Sequence, residues 1–111
     1  EAVQEYVRCF ADPAAIHASC EDYRAAGTID LEHDRADRAA GRKLTMPLLT
    51  LWGAQGVVGT MFDCLADWRA VAEKVTGRAM PCGHFIPEEA PDEALTEIEA
   101  FLRLHPMARK A

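Results

Sequence analysis

A short, continuous apolar run at Met46–Trp52, bounded by Gly53, constrains the fold more than any other stretch of this chain. Its length and its glycine boundary favour a strand that is buried on both faces, as strands of parallel sheets are. Farther along, Arg78–Cys82 predicts a second strand, with a weaker signal because it contains Pro81. A helix between two strands at this spacing indicates a parallel pair joined by a right-handed crossover.

The segments that follow each strand show the 3.6-residue period of amphipathic helices. We predict one helix between the strands, closed by Gly77, and a last helix that begins at Pro91 and stops at His105-Pro106. The inward face of the helix between the strands comprises Leu65, Trp68, Val71, Ala72 and Val75. The inward face of the last helix comprises Leu95, Ile98, Phe101 and Leu102. The predicted order of this half is therefore β-α-β-α.

The first 43 residues are predicted to form three helices. The apolar stripe of the first helix comprises Val3, Tyr6, Val7 and Phe10. Asp12-Pro13 begins the second helix, because Asp is a favoured N-cap and Pro fits the first turn, and Gly27 ends it. Thr28 is predicted to cap a third helix, from Ile29 to about Ala40, whose charges of both signs indicate a solvated face.

Two parallel strands do not make a finished sheet, because isolated strand pairs are marginally stable and their outer edges stay unpaired. The second half of the chain is therefore predicted to be the end of a larger α/β sheet. The chain has 111 residues and begins with Glu1 rather than Met, so we expect further sequence before it.

A net charge of −6, from 12 Lys and Arg against 18 Asp and Glu, argues against nucleic acid or an anionic membrane as the main partner. No apolar run approaches the roughly 20 residues of a membrane span, and no stretch resembles a signal peptide. The four cysteines are scattered and include no Cys-x-x-Cys pair. They favour free thiols in a reducing compartment, so we expect a cytoplasmic protein.

His84 directly follows Gly83 after the second predicted strand, at the edge where open α/β sheets build their sites. An imidazole there can act as a general base, since it gains and loses a proton near neutral pH. From position alone, a histidine that only closes the strand end is an equal alternative. A thiol–imidazole pair with Cys82 is conceivable, but a small buried side chain is the favoured role for that cysteine.

Two further pairs, His17 with Cys20 and His33 with Asp37, could each bring two metal ligands together. Two ligands fall short of a zinc site, so we predict no metal. The glycines after the first strand lack the Lys-Ser/Thr of a phosphate-binding loop, which excludes nucleotide binding.

The order of these motifs resembles the C-terminal part of the α/β-hydrolases, and more closely that of the haloacetate (fluoroacetate) dehalogenases. The likeness covers nearly the whole chain, and its most specific part is the Cys-Glu-Asp-Tyr-Arg-Ala segment at 20–25. The matching stretches are 6–10, 16–25, 47–49, 51–53 and 81–84. The resemblance implies an α/β fold in which residues 1–43 end a helical cap domain and residues 44–111 end the core.

In that family an Asp carboxylate displaces halide from a haloacetate, and water activated by a His hydrolyses the resulting ester, without metal or organic cofactor. The resemblance assigns the base to His84 and places Tyr23 in the halide pocket. The alternative for Tyr23 is core packing, because it shares a stripe with Ile16 and Cys20. The implied partners are a small haloacid, a halide ion and the N-terminal half of the same enzyme, and exposed cap helices would permit a homodimer.

The family's nucleophilic Asp lies in a His-Asp-Arg-Gly-x-Arg-like segment, and no such segment occurs here. We therefore expect the nucleophile upstream and this chain alone to be inactive. The triad acid is also missing from its commonest place, since residues 54–59 contain no carboxylate. Asp63 is a fallback triad acid, although a helix N-cap is its favoured role.

Three alternatives stay open at this point. Another α/β-hydrolase, such as an epoxide hydrolase, would share His84, and Tyr23 would then protonate the epoxide. The chain could instead be a non-catalytic interaction module, or a homologue that has lost its activity.

Overall fold

The computed structural model describes residues 1–106. The chain divides into two units, Glu1–Arg42 and a second that begins at Lys43. Within the described range, no helix combines the length and the apolar character needed to cross a membrane.

The first unit consists of three helices, α1 (Ala2–Cys9), α2 (Pro13–Ala26) and α3 (Ile29–Ala39). The predicted start of α2 is confirmed, because Asp12 Oδ1 accepts a hydrogen bond from the backbone N of Ala14 at 2.9 Å. Thr28 is the N-cap residue of α3, as predicted, but its side chain makes no capping hydrogen bond there. Thr28 Oγ1 donates instead to the carbonyl oxygen of Arg24 at 2.7 Å, so its hydroxyl serves the end of α2.

The first unit has no buried residue. The apolar stripe of α1 is at least half exposed, and its members are Val3, Tyr6, Val7 and Phe10. A stripe of this kind stabilises a helix when another apolar surface covers it. The first unit therefore presents apolar surface that it does not itself cover.

The second unit follows the order β1 (Leu44–Gly53), α4 (Val57–Met61), α5 (Cys64–Val71), β2 (Ala72–Met80), α6 (Ile86–Glu89) and α7 (Pro91–Leu104). The two strands pair in parallel, from Leu44 opposite Ala72 to Gly53 opposite Met80, as predicted. Among the described residues the sheet contains these two strands. The α/β architecture is thus confirmed.

The predicted boundary between the middle helix and the second strand is wrong. The helix α5 ends at Val71, and the chain is already extended at Ala72, with φ −136° and ψ 148°. From Lys74 to Ala79 burial alternates, with Val75, Gly77 and Ala79 partly buried and the residues between them exposed, which is the two-residue period of a strand. Val75 lies three residues after Ala72 and so also fits a helical stripe; pairing with β1 decides between the two periods.

Gly77 lies inside β2 rather than at a helix end. It is opposite Thr50 in β1, and its φ is +156°. A Cβ at this position would overlap the carbonyl oxygen of Thr50. The residue must therefore be glycine because the two strand backbones approach too closely for a side chain.

The core of the second unit is small. Its buried hydrophobic cluster comprises Met80, Cys82, Ala90 and Ala94, against which Leu51 and Ile86 pack. An ion pair also joins β2 to α7, since Arg78 Nε lies 2.6 Å from Glu97 Oε1. These contacts place α6 and α7 next to the loop that follows β2.

Two predicted inward faces are only partly buried in this unit. On α7 the buried residue is Ala94, and of the predicted stripe Phe101 is partly buried while Leu95, Ile98 and Leu102 are exposed. On α5, Leu65 and Val71 are partly buried and Trp68 is exposed. The predicted period of α7 is that of a helix, whereas the stripe predicted for the middle helix ran on into β2, at Ala72 and Val75.

Substituting Gly77 by Ala tests the close strand approach. We expect Gly77→Ala to lower the free energy of unfolding of the full gene product by about 3 kcal/mol, because the new methyl group forces two backbones apart. Gly27→Ala is the matched control, since its Cβ would meet only ordinary contacts, and its effect should stay below about 1 kcal/mol. Urea unfolding measures both, and equal effects would contradict the strand assignment.

Candidate active site

The carboxyl ends of β1 and β2 lie side by side and carry the loops that build the site. The backbone N of Ala54 donates to the carbonyl oxygen of Met80 at 2.9 Å, and that of Gln55 donates to Cys82 O at 3.0 Å. The turn after β1 is therefore bonded directly to the segment that leaves β2. Carboxyl ends of parallel strands are where α/β sheets place their functional groups.

Gly53 sets how closely these two segments approach. A Cβ on Gly53 would overlap the carbonyl oxygen of Gly83, the residue immediately before His84. Backbone lies against backbone here, with no intervening side chain. The position of His84 is thereby tied to the end of β1 as well as to β2.

His84 lies in the loop after β2, as predicted, and its side chain is exposed. Its ring meets that of Phe85 edge to face, with centroids 5.1 Å apart. The imidazole also lines a cavity of about 320 Å³. The other lining residues are Thr50, Leu51, Trp52, Gly53, Gly56, Val58, Cys64, Trp68, Gly83 and Ile86.

This cavity is lined mainly by apolar side chains and by main chain, and His84 is its one titratable group other than the Cys64 thiol. Among the lining residues Thr50 is buried, and its hydroxyl lies 3.5 Å from the Cys64 sulfur. A mostly apolar cavity with one base at its wall is an arrangement that can hold a small organic molecule and a water molecule to be deprotonated.

Glu89 holds the loop that carries His84. Its Oε2 accepts a hydrogen bond from the backbone N of Gly83 at 2.7 Å, and its Oε1 accepts one from Phe85 N at 3.0 Å. These hydrogen bonds lower the pKa of the Glu89 carboxyl, as does the charge of His84, while loss of surrounding water acts in the opposite direction. Glu89 is therefore ionised at neutral pH.

Sequence reasoning missed Glu89. The sequence placed the start of the last helix at Pro91 and singled out no carboxylate between His84 and that helix. The usual capping spacing, with the acidic residue three positions after the N-cap, would have selected Glu88 instead of Glu89.

Cys82 is buried, with 3% of its surface exposed. Burial raises the pKa of the Cys82 thiol, and the charges of Glu89 and Glu93 raise it further. The thiol is thus kept protonated, which disfavours a nucleophilic pair with His84. All four cysteines of the chain are free.

Asp63 and Tyr23 are the other residues singled out by sequence. Asp63 Oδ1 accepts a hydrogen bond from Ala66 N at 3.0 Å and so caps α5. No hydrogen bond joins Asp63 to His84 among the described residues. Tyr23 lies on α2 in the first unit and is 83% exposed, so it is not a core residue of that unit.

Across residues 1–106, no three His, Cys, Asp or Glu side chains are grouped so that they could hold a metal ion. His17 lies 3.8 Å from Glu21, which in turn pairs with Arg24. This cluster is a set of neighbouring side chains on the surface of one helix.

This chain is similar in sequence and in fold to proteins named as hydrolases. No family model matches the chain. The fluoroacetate dehalogenase of a Burkholderia species is 37% identical over 102 residues, which are 92% of this chain and 33% of that protein. The soluble epoxide hydrolase of a Corynebacterium species is 41% identical over 93 residues, 82% of this chain and 30% of that relative.

A solved structure from Nostoc, assigned as an α/β hydrolase, is 55% identical and matches with a TM-score of 0.82. The match covers 91% of this chain and 34% of the Nostoc chain. This chain thus spans about a third of the length of the proteins that it matches.

The burial of Cys82 predicts an order of thiol reactivity. With N-ethylmaleimide at neutral pH, we expect Cys9 and Cys20, which are exposed, to be modified at least about tenfold faster than Cys82. Peptide mass spectrometry after short exposures measures each rate. Modification of Cys82 as fast as Cys9 would contradict its placement in the core and reopen a thiol role beside His84.

Proposed function

We propose that this chain, which has the fold of the carboxyl-terminal portion of an α/β-hydrolase, belongs to a cytoplasmic enzyme that hydrolyses haloacetates to glycolate and halide. The observation that carries the proposal is His84, held at the carboxyl end of a parallel strand beside an apolar cavity. The likeness to a fluoroacetate dehalogenase over 92% of the chain supports the choice of substrate.

The proposed reaction has two steps. A carboxylate from the upstream part of the enzyme attacks the carbon that bears the halogen, and the halide leaves with the bonding electrons. Water then attacks the carbonyl carbon of the enzyme ester while His84 takes its proton. The intermediate collapses, the proton passes to the departing glycolate oxygen, and the carboxylate is regenerated. The net products are glycolate, halide and one proton.

Two other residues have roles in this proposal. The Tyr23 hydroxyl donates a hydrogen bond to the departing halide, which stabilises negative charge as it develops. The carboxylate that orients His84 comes from the upstream part, because Asp63 is engaged as the cap of α5. The proposed chemistry needs neither metal nor organic cofactor.

An epoxide hydrolase is the second candidate. The Corynebacterium relative, at 41% identity, supports it. The displacement and the His84-dependent hydrolysis would be the same, but the leaving group would be an alkoxide that stays on the substrate, and Tyr23 would protonate it. The product would be a diol, with no halide released.

Product analysis of the full gene product separates the two candidates. We expect steady release of halide from fluoroacetate or chloroacetate and no diol from a simple epoxide. His84→Asn should release about one halide per enzyme and then slow by 10²–10⁴-fold, because displacement survives while ester hydrolysis loses its base. Tyr23→Phe should slow the burst itself by about 10–100-fold.

Each alternative has its own signature in that experiment. Diol formation without halide would favour the epoxide hydrolase. Absence of both products would favour a non-catalytic protein. Full turnover by His84→Asn would remove His84 from the mechanism.

We further propose that the rest of the enzyme covers the exposed apolar surface of this chain. Hydrophobic residues make up 50% of the sequence, yet among the described residues only Ala72, Met80, Cys82, Ala90 and Ala94 are buried hydrophobics. The upstream part of the enzyme would pair with the sheet edge and cover α7 and Trp68. The exposed helices of the first unit also permit a homodimer.

This proposal predicts the behaviour of the isolated 111-residue chain. We expect it to bind a fluorescent apolar dye, to melt without a cooperative transition and to release no halide, because too little apolar surface is buried to offset chain entropy. Attachment of the upstream sequence should restore a sharp transition. A monomeric isolated chain that melts cooperatively would contradict the proposal.

A further inference from the structure

The side chain of Glu89, which lies beyond the loop that carries His84, binds that loop through two hydrogen bonds. The two oxygens of Glu89 accept hydrogen bonds from different backbone amides, one before His84 and one after it. Each oxygen has its own donor, at 2.7 Å from Gly83 N and 3.0 Å from Phe85 N. The carboxylate therefore bridges the residue that the proposed mechanism uses as its base.

We propose that Glu89 is the positioning residue for His84 in the reaction proposed above, and that it acts on the ester-hydrolysis step. It does so by fixing the main chain on both sides of the histidine. The expected effect on ester hydrolysis rests on the proposed function. The claim that Glu89 fixes the main chain around His84 rests on these hydrogen bonds alone.

The contact with Glu89 is reciprocal. The backbone N of Glu89 donates to the carbonyl oxygen of Phe85 at 2.9 Å, while its side chain accepts from the N of the same residue. The bond from the Glu89 backbone N is the ordinary first hydrogen bond of a helix that begins at Phe85, and the side-chain contact is added to it. Phe85 is thus held through both of its backbone polar groups, and its ring is edge to face with the imidazole.

Other contacts restrain the segment up to Gly83. Cys82 N donates to Met80 O at 2.8 Å, Cys82 O accepts from Gln55, and the backbone of Gly83 packs against Gly53. From Gly83 to Phe85 the main-chain hydrogen bonds among the described residues are those with α6, and Glu89 supplies the side chain for them. A Cβ on Gly83 would come within 3.0 Å of the Glu89 carboxylate, so these groups are already in close contact.

A carboxylate is required here because both partners are donors. An ionised Glu offers two acceptor oxygens, whereas Gln offers one and places an NH₂ group against the other amide. Glu89→Gln keeps the shape of the side chain and removes one of the two contacts. Glu89→Asp keeps both acceptors but shortens their reach by one methylene, so it should recover part of the function.

Burst kinetics of the full gene product with chloroacetate test the role. For Glu89→Gln we expect a halide burst of about one per enzyme, at a rate within about twofold of wild type. Steady turnover should fall about 10²-fold, since a misplacement near 1 Å at a reacting group has that effect. Glu89→Asp should recover part of the turnover. Glu99→Gln, which removes the same charge from an exposed pair with Arg103, is the matched control and should behave as wild type.

The reaction step that slows in Glu89→Gln distinguishes a positioning role for Glu89 from a general role in stabilising the fold. A purely structural role would reduce the active fraction, so burst amplitude and turnover would fall together, and the proposal would be overturned. If Glu89→Gln turned over chloroacetate as fast as Glu99→Gln does, the positioning role of Glu89 would also be overturned.

Nuclear magnetic resonance relaxation of the His84 ring gives a second measurement that needs no substrate. We expect the ring to be more mobile in Glu89→Gln than in wild type, and the amides of Gly83 and Phe85 to exchange hydrogen faster. If wild type releases no halide, the proposed function fails, and this measurement still decides the role of Glu89. If the mobility of the His84 ring and the hydrogen exchange of the Gly83 and Phe85 amides were the same in Glu89→Gln as in wild type, the positioning role of Glu89 would be refuted.

Discussion

The close contact between the turn after β1 and the loop after β2 is the constraint on which the candidate site depends. Gly53 has no room for a Cβ against Gly83, and the neighbouring amides of Ala54 and Gln55 donate across the same gap. Hydrogen bonds between backbone groups hold both segments at one distance. His84 follows this contact directly, so the pairing of the two parallel strands helps to fix the position of its backbone.

The second unit contains many more apolar side chains than it buries. In the second unit the buried cluster is formed by Met80 and a few small side chains, while Leu95, Ile98 and Trp68 lie exposed. This imbalance explains why the stripe predicted on α7 from its helical period is largely exposed in this structure.

Burial and two carboxylates set the electrostatics beside His84. The two amides that Glu89 binds lower the pKa of its carboxyl and keep it ionised, while burial, and then the charges of Glu89 and Glu93, raise the pKa of the Cys82 thiol and keep it protonated. The arrangement leaves His84 as the residue suited to move a proton and removes a competing nucleophile beside it. Asp63, which the sequence offered as a fallback acid, uses its carboxylate at the start of α5.

The sequence by itself determined the α-to-β order, the parallel pair and the location of His84 after the second strand. These follow from local period, glycine boundaries and residue chemistry, which need no knowledge of distant partners. Only the tertiary structure decided that Ala72–Gly77 form strand, that Gly77 lies opposite Thr50, and that Glu89 rather than Glu88 holds the loop. Each of these depends on a neighbour distant in the chain or on the direction of one side chain, and a one-dimensional pattern contains neither.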